Sequence, residues 1–332
     1  MPKPFGQDLW RRLGVSPMAG RGAHRRAALF ERGARAIAQY LRDDLRGLYV
    51  CPLCVKGWPR QALSADVLAL EHAPPRSLGG RVVALTCKDC NSGAGHTLDD
   101  EMHGNEAFLD FVAGNTSRPL RARIEVPDRP ELSGAMVDVG RVDGAIKMVG
   151  LPKHSRPEAQ RAWEEQLAHM ADQGGWDGFH FRLAFTKAND PEVTSVGWLR
   201  SAYLVAFAAF GYPYILRRDL RPVRDQITHP KDAIIKPFST TNGARDRSFR
   251  QIVLIQEPAE LRSVVVQMGR HDVFLPLSRD NDIYEYLASD RLRGPRFDAT
   301  VDGKIVPWPN GPQHMIEGAT LSSSIPIHRS LT

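Results

Sequence analysis

The stretch that decides the reading lies between residues 50 and 101. It holds Cys51-Pro52-Leu53-Cys54, Glu71-His72-Ala73-Pro74-Pro75, Gly79-Gly80 and Cys87-Lys88-Asp89-Cys90-Asn91. The chain has four cysteines, and the two Cys-x-x-Cys pairs use all of them. Each pair can form a knuckle that presents two thiolates to one tetrahedral ion, so Cys51, Cys54, Cys87 and Cys90 are expected to hold a structural zinc. Four thiolates leave no open position for water, which argues against a catalytic zinc there. The ion would staple a small lobe that lacks enough apolar core of its own.

Glu71-His72 follows the strand-like run Val67 to Leu70 and precedes Pro74-Pro75, which ends regular structure. Gly79-Gly80 leads into a second strand-like run, Val82 to Leu85, and Asn91 stands where a helix would start. The segment 49–104 resembles an HNH endonuclease domain, the zinc-stapled branch of the ββα-metal nucleases. The resemblance implies a small, treble-clef-like fold. It also implies His72 as general base, with Glu71 and Asn91 as ligands of a catalytic divalent metal, and cleavage that leaves 5′-phosphate and 3′-hydroxyl ends. Oxygen ligands favour Mg²⁺ or Mn²⁺. In the family, an asparagine on the second strand steadies the loop that carries the base. No asparagine occurs from Ala73 to Thr86 here, and Arg81 is a candidate for that work.

On a helix after Asn91, His96 would share a face with Asp99, Asp100 and His103. It could complete the metal shell, contact a phosphate, or belong to a polar solvated face. A divalent ion can neutralise the phosphate and stabilise the leaving oxygen, and an imidazole titrating near 6.5 suits the activation of water at neutral pH. The alternative class is a non-catalytic zinc module that binds nucleic acid or protein.

Charge is unevenly placed. Residues 1–60 carry twelve Lys/Arg against four Asp/Glu, residues 61–118 four against eight, and the remaining 214 residues 28 against 26. Residues 23–48 read as a helix, with Phe30, Ala34, Ile37, Leu41, Leu45 and Leu48 on one stripe. Arg25, Arg32, Arg35 and Arg42 fall on the opposite arc with Arg21 and Arg46, a row able to hold a DNA backbone without reading its sequence, RNA being the other candidate. A solvated charged face is the plainer account of the same row.

A 42% apolar fraction and 25% charged residues are ordinary for a soluble globular chain. No P-loop or Gly-x-Ser-x-Gly elbow occurs. Four cysteines and no apolar leader segment point to a cytoplasmic protein. The longest apolar run, Ala202 to Tyr212, is too short to span a membrane and reads as a buried helix.

The expected organisation is α+β: a basic helical region 1–48, a zinc-stapled domain 49–118 and a mixed α+β domain 119–332. Strands are expected over 121–126, 135–149 (with a hairpin at Val142-Asp143-Gly144), 180–185, 251–256, 263–268 and 272–275. A capping box at Ser155 to Glu158 should open a helix to about Asp172, ended by Gly174-Gly175. A second helix should run from Pro191 to Phe210, stopped by Gly211. Asp302-Gly303 suggests a further hairpin. Trp163, Trp176 and Trp198 read as core residues. Target recognition, homodimerisation and partner binding are all open to residues 119–332.

Overall fold

The structure, a computed structural model, describes residues 20–40, 47–114, 119–142, 144–173, 179–185, 190–235, 237–278, 282–289 and 301–309. In chain order the elements used below begin with helix α1 (Gly20–Tyr40), strands β1 (Tyr49–Val50), β2 (Gly57–Trp58), β3 (Leu68–Ala73) and β4 (Arg81–Cys87), and helix α2 (Lys88–Val112). Next come β5 (Leu120–Glu125), β6 (Met136–Val142), β7 (Ala145–Gly150), α3 (Pro157–Gln173), β8 (Arg182–Phe185) and α4 (Pro191–Phe210). They are followed by β9 (Ser239–Thr241), β10 (Arg250–Glu257), β11 (Ser263–Met268), β12 (His271–Pro276) and β13 (Asp302–Val306). The fold is mixed α+β with small sheets.

The chain forms two compact units, Met1–Asp99 with Glu192–Thr332, and Asp100–Pro191. It therefore divides at 99/100 and 191/192 rather than at 48/49 and near 118–120. The reason is packing: the segment that carries the cysteine pairs is closed by residues more than a hundred positions away. Tyr203 donates its hydroxyl to the Pro52 carbonyl at 3.0 Å, and Tyr212 donates to the Val50 carbonyl at 2.5 Å.

In the first unit, β3 and β4 pair antiparallel from Leu68 opposite Cys87 to Ala73 opposite Arg81, with a register shift between Glu71 and His72. Helix α2 follows β4 without a loop, beginning at Lys88 and not after Asn91 as expected. Helix α1 buries Leu29, Phe30, Ala34 and Ile37, as its apolar stripe requires. Gly33 lets this helix lie against Tyr49: a Cβ there would stand 2.5 Å from the Tyr49 ring. The helix expected to continue to residue 48 does not: Gly47 and Leu48 lie outside it and lead into β1, while 41–46 fall outside the described residues.

Helix α4 is the buried spine of this unit. It is long and apolar enough to cross a membrane by length and composition, yet 89% of its apolar stretch is buried inside the protein. The remaining sheet runs β13-β10-β11-β12-β9, its strands built on valine and isoleucine runs such as Ser263–Met268. Asp302-Gly303 is no hairpin turn: both residues lie in β13 and pair with Glu257 and Ile255.

The second unit is the sheet β7-β6-β5-β8 with α3 over a core of Phe111, Ile124, Leu132, Val137, Val139 and Trp163. The Trp163 indole donates to the Leu132 carbonyl at 2.6 Å. Ser155 does not cap α3. Its hydroxyl accepts from the Met136 amide at 2.8 Å and donates to the Leu151 carbonyl at 2.9 Å, so Arg156 stands at the helix start, its carbonyl accepting from the Gln160 amide. Gly174-Gly175 and Trp176 lie outside the described residues; Trp198 is buried and stacks on His271 at 4.0 Å between ring centroids.

Candidate metal centre and active site

The four cysteines come from two turns. Cys51 and Cys54 sit between β1 and β2, where the Cys51 amide donates to the Lys56 carbonyl and the Val55 amide to the Cys51 carbonyl. Cys87 ends β4, and Cys90 lies in the first turn of α2. All four sulfurs lie within 4.8 Å of one another, and Cys54 Sγ is 3.6 Å from Cys87 Sγ. A tetrahedron with zinc–sulfur distances of about 2.3 Å has edges of about 3.8 Å, so the sulfur set fits a metal such as structural zinc.

The thiols perturb one another. Hydrogen bonds from the neighbouring thiols pull Cys54 and Cys87 down, Cys87 to about 7, and push Cys51 and Cys90 up. Crowded sulfurs cannot all ionise without a cation between them, which the metal would supply. Around them, burial raises the phenols of Tyr49, Tyr203 and Tyr212, Tyr203 to about 12, keeping them neutral donors. The Tyr49 hydroxyl donates to the Leu85 carbonyl at 2.8 Å and accepts from its amide at 3.1 Å, which binds this lobe to β4.

Glu71 and His72 stand within β3, one step from its end. Glu71 is 4% exposed, and its Oε2 accepts from Thr86 Oγ1 at 2.8 Å and from Arg200 Nη2 at 2.9 Å. Arg200, on α4, is 3% exposed, and its Nη1 lies 3.9 Å from Asp99 Oδ1. Burial pushes the Glu71 carboxyl up against the opposing pull of Arg200 and Thr86, and the Asp99 charge raises it further. The cluster of Glu71, Asp99 and Arg200 thus carries two carboxyls against one guanidinium.

His72 is half-buried, and its imidazole is held below the usual histidine range by burial and by the positive charges of Arg76 and Arg25. The charges of an arginine of helix α1 and of another in the turn after β3 thus act on the histidine. Arg25 and Arg35 are exposed and Arg32 is half-buried, while Arg42 lies outside the described residues. Asn91 is half-buried in the first turn of α2. The His96 side chain lies outside the description, and His103 belongs to the second unit.

Sequence reasoning missed Arg200, Thr86 and Arg76. Arg200 had a signal: it is the one cation in a mostly apolar helix, and a buried guanidinium needs a buried carboxylate partner. Arg76 had none, since one arginine in a turn is unremarkable until the fold places it beside His72.

No protein-family model, curated protein or solved structure matches the chain.

Proposed function

We propose that the chain is a metal-dependent HNH endonuclease acting on DNA, with β3, β4 and the start of α2 as its ββα-metal element and the four cysteines holding a structural zinc. The observation that carries this reading is the environment of His72. It is a half-buried imidazole held below the usual histidine range, one residue from a buried carboxylate and under the charges of two arginines of separate elements.

His72 would take the proton of the attacking water, for which a base neutral at the working pH is required. Arg25 and Arg76 would hold the phosphate by charge-assisted hydrogen bonds. Glu71 and Asn91 offer oxygen donors, which suit a hard divalent ion, Mg²⁺ or Mn²⁺. Such an ion, when bound, supplies Lewis-acid stabilisation of the phosphorane charge and of the leaving oxygen. Since Glu71 Oε2 is occupied by Arg200 and Thr86, its other oxygen is the one left for that purpose.

The engagement of Glu71 with Arg200 also favours a second reading, a non-catalytic zinc module in which this carboxylate only holds the fold. Supercoiled plasmid incubated with wild-type and His72→Ala protein in Mg²⁺, Mn²⁺ or EDTA separates the two. The nuclease reading expects metal-dependent nicking or linearisation, a drop of about 10²–10⁴-fold in the variant, and unchanged zinc content and DNA affinity. No cutting in any metal, or a folded His72→Ala protein that cuts at the wild-type rate, leaves the binding module.

A further inference from the structure

Next to the strand end that carries His72 lies a cavity of about 630 Å³. One wall is Ala73, the residue after His72, with Gly80 and Arg81; the other is Arg247, Arg250 and Trp308. These residues belong to one compact unit, so the cavity is a property of a single packed body.

Its walls are fixed by backbone. Gly80 folds against Pro74 so closely that a Cβ would stand 1.4 Å from the Pro74 carbonyl oxygen, which accounts for the second glycine of Gly79-Gly80. Arg250 clamps the two walls together: Nη2 donates to the Leu78 carbonyl at 2.9 Å, and Nη1 donates to the carbonyls of Arg247 at 2.7 Å and Phe249 at 2.8 Å. Trp308 stands two residues beyond Val306, the β13 residue paired with Ile252, and lines the cavity together with Arg250.

The chemistry of the lining is specific. Among the described residues the lining includes three arginines, Arg81, Arg247 and Arg250, of which Arg81 and Arg247 are exposed. The nearby Asp246 carboxylate accepts from the Ser248 amide at 2.7 Å, and the charges of Arg247 and Arg250 act on it. A half-buried indole stands beside them. Guanidiniums take phosphate, and an indole face takes a base by stacking. The volume lies within the range of about 300–1,000 Å³ of sites that hold one small ligand. A single nucleotide is a ligand of the size such a space holds.

On the nuclease reading given above, we infer that this cavity binds one unpaired nucleotide of the strand being cut, its phosphate on Arg81 and Arg247 and its base on Trp308. The β10–β13 edge of the larger sheet thereby acquires a role as a nucleotide clamp.

The test uses the full chain in its zinc-loaded form with His72→Ala, so that substrate survives. Oligonucleotides carrying 5-iodouracil at successive positions, single-stranded or in a duplex with one unpaired position, are photocrosslinked and the adduct mapped by mass spectrometry. The expected adduct is on Trp308, from the unpaired position. Trp308→Ala should weaken single-strand binding by about 5- to 100-fold, the usual size of one base–aromatic stack. Arg247→Gln, an exposed change that spares the sheet, should weaken it and flatten its salt dependence.

Adducts that avoid Trp308, with both variants binding at wild-type strength, overturn the inference while plasmid cleavage by the wild type keeps the nuclease reading. A Trp308 adduct from a protein that cuts nothing supports the nucleotide site and sinks only the nuclease reading. Competition by a free mononucleotide as strong as that by an oligonucleotide overturns the strand assignment in favour of a small-molecule site.

Discussion

Arg200 is a cation with almost no water to hold it, and Glu71 is a carboxylate in the same position. Their pairing at 2.9 Å offsets two desolvation costs that neither could bear alone. Burial still dominates, because the Glu71 carboxyl is raised and so holds a proton more readily folded than unfolded. Such a group favours the folded state at low pH, and that contribution is lost as pH rises from about 4.3 through its folded value. Arg200→Met should widen that window upward. The variant is expected to lose about 3–5 kcal/mol at pH 7.5, the cost of an uncompensated buried charge, and visibly less at pH 5 where Glu71 can protonate. Urea unfolding of wild-type and variant protein at both pH values, without added Mg²⁺ or Mn²⁺, measures this; a deficit that grows as pH falls would contradict it. Glu71→Gln combined with Arg200→Met should recover most of the loss, since no buried charge remains. The residues of this pair differ in how readable they were. Glu71 was marked by its neighbour His72, whereas the partner 129 positions away could be recognised only as a cation that needed one.

At the scale of elements, alternation and punctuation told most of what was needed. The expected strands over 251–256, 263–268 and 272–275 appear as β10, β11 and β12, and the helix ending before Gly211 is α4, because short β-branched runs and a glycine stop are local signals. Side-chain competition was not legible. Ser155 reads as a cap by position, but its hydroxyl is drawn to the amide of Met136, nineteen residues back in sequence. The cysteine knuckles were legible for the opposite reason: their spacing carries the chemistry itself. They join β1–β2, strands of two residues each, to β4 and α2, so a bound metal should supply a large share of the local folding free energy, on the order of 10 kcal/mol. Purified protein should therefore carry about one zinc per chain by mass-spectrometric metal analysis. Cys87→Ser should lose that zinc and fold poorly around 49–99, with a marked fall in melting temperature. A metal-free protein with the wild-type melting curve would remove the staple from the account.

The whole molecule is discontinuous in a way that composition could not announce. One boundary of the second unit, Asp99/Asp100, falls inside the continuous helix α2, and the other falls at Pro191, the first residue of α4. Neither carries the Gly, Ser or Pro run that marks a linker, so the texture change near Pro119 was the visible feature, and it marks only the start of β5. Each unit has its own core: α4 with the β10–β12 sheet in the first, Trp163 with Ile124, Leu132 and Val139 in the second. The cysteines all lie in the first. Units with separate cores melt as separate cooperative blocks when the contacts within each outweigh those that link them. Calorimetry should accordingly resolve two transitions. Removing zinc with a strong chelator should then lower the transition of the first unit and leave the other within about 2 °C, since a ligand stabilises only the block that binds it. Near-ultraviolet signals assign the blocks: Trp163 and its aromatic neighbours Phe179 and Phe181 report the second unit, Trp198 stacked on His271 the first. A single transition that moves as one on chelation would show that the inserted unit and the zinc lobe fold together, and the division at residues 99 and 191 would then have no thermodynamic meaning.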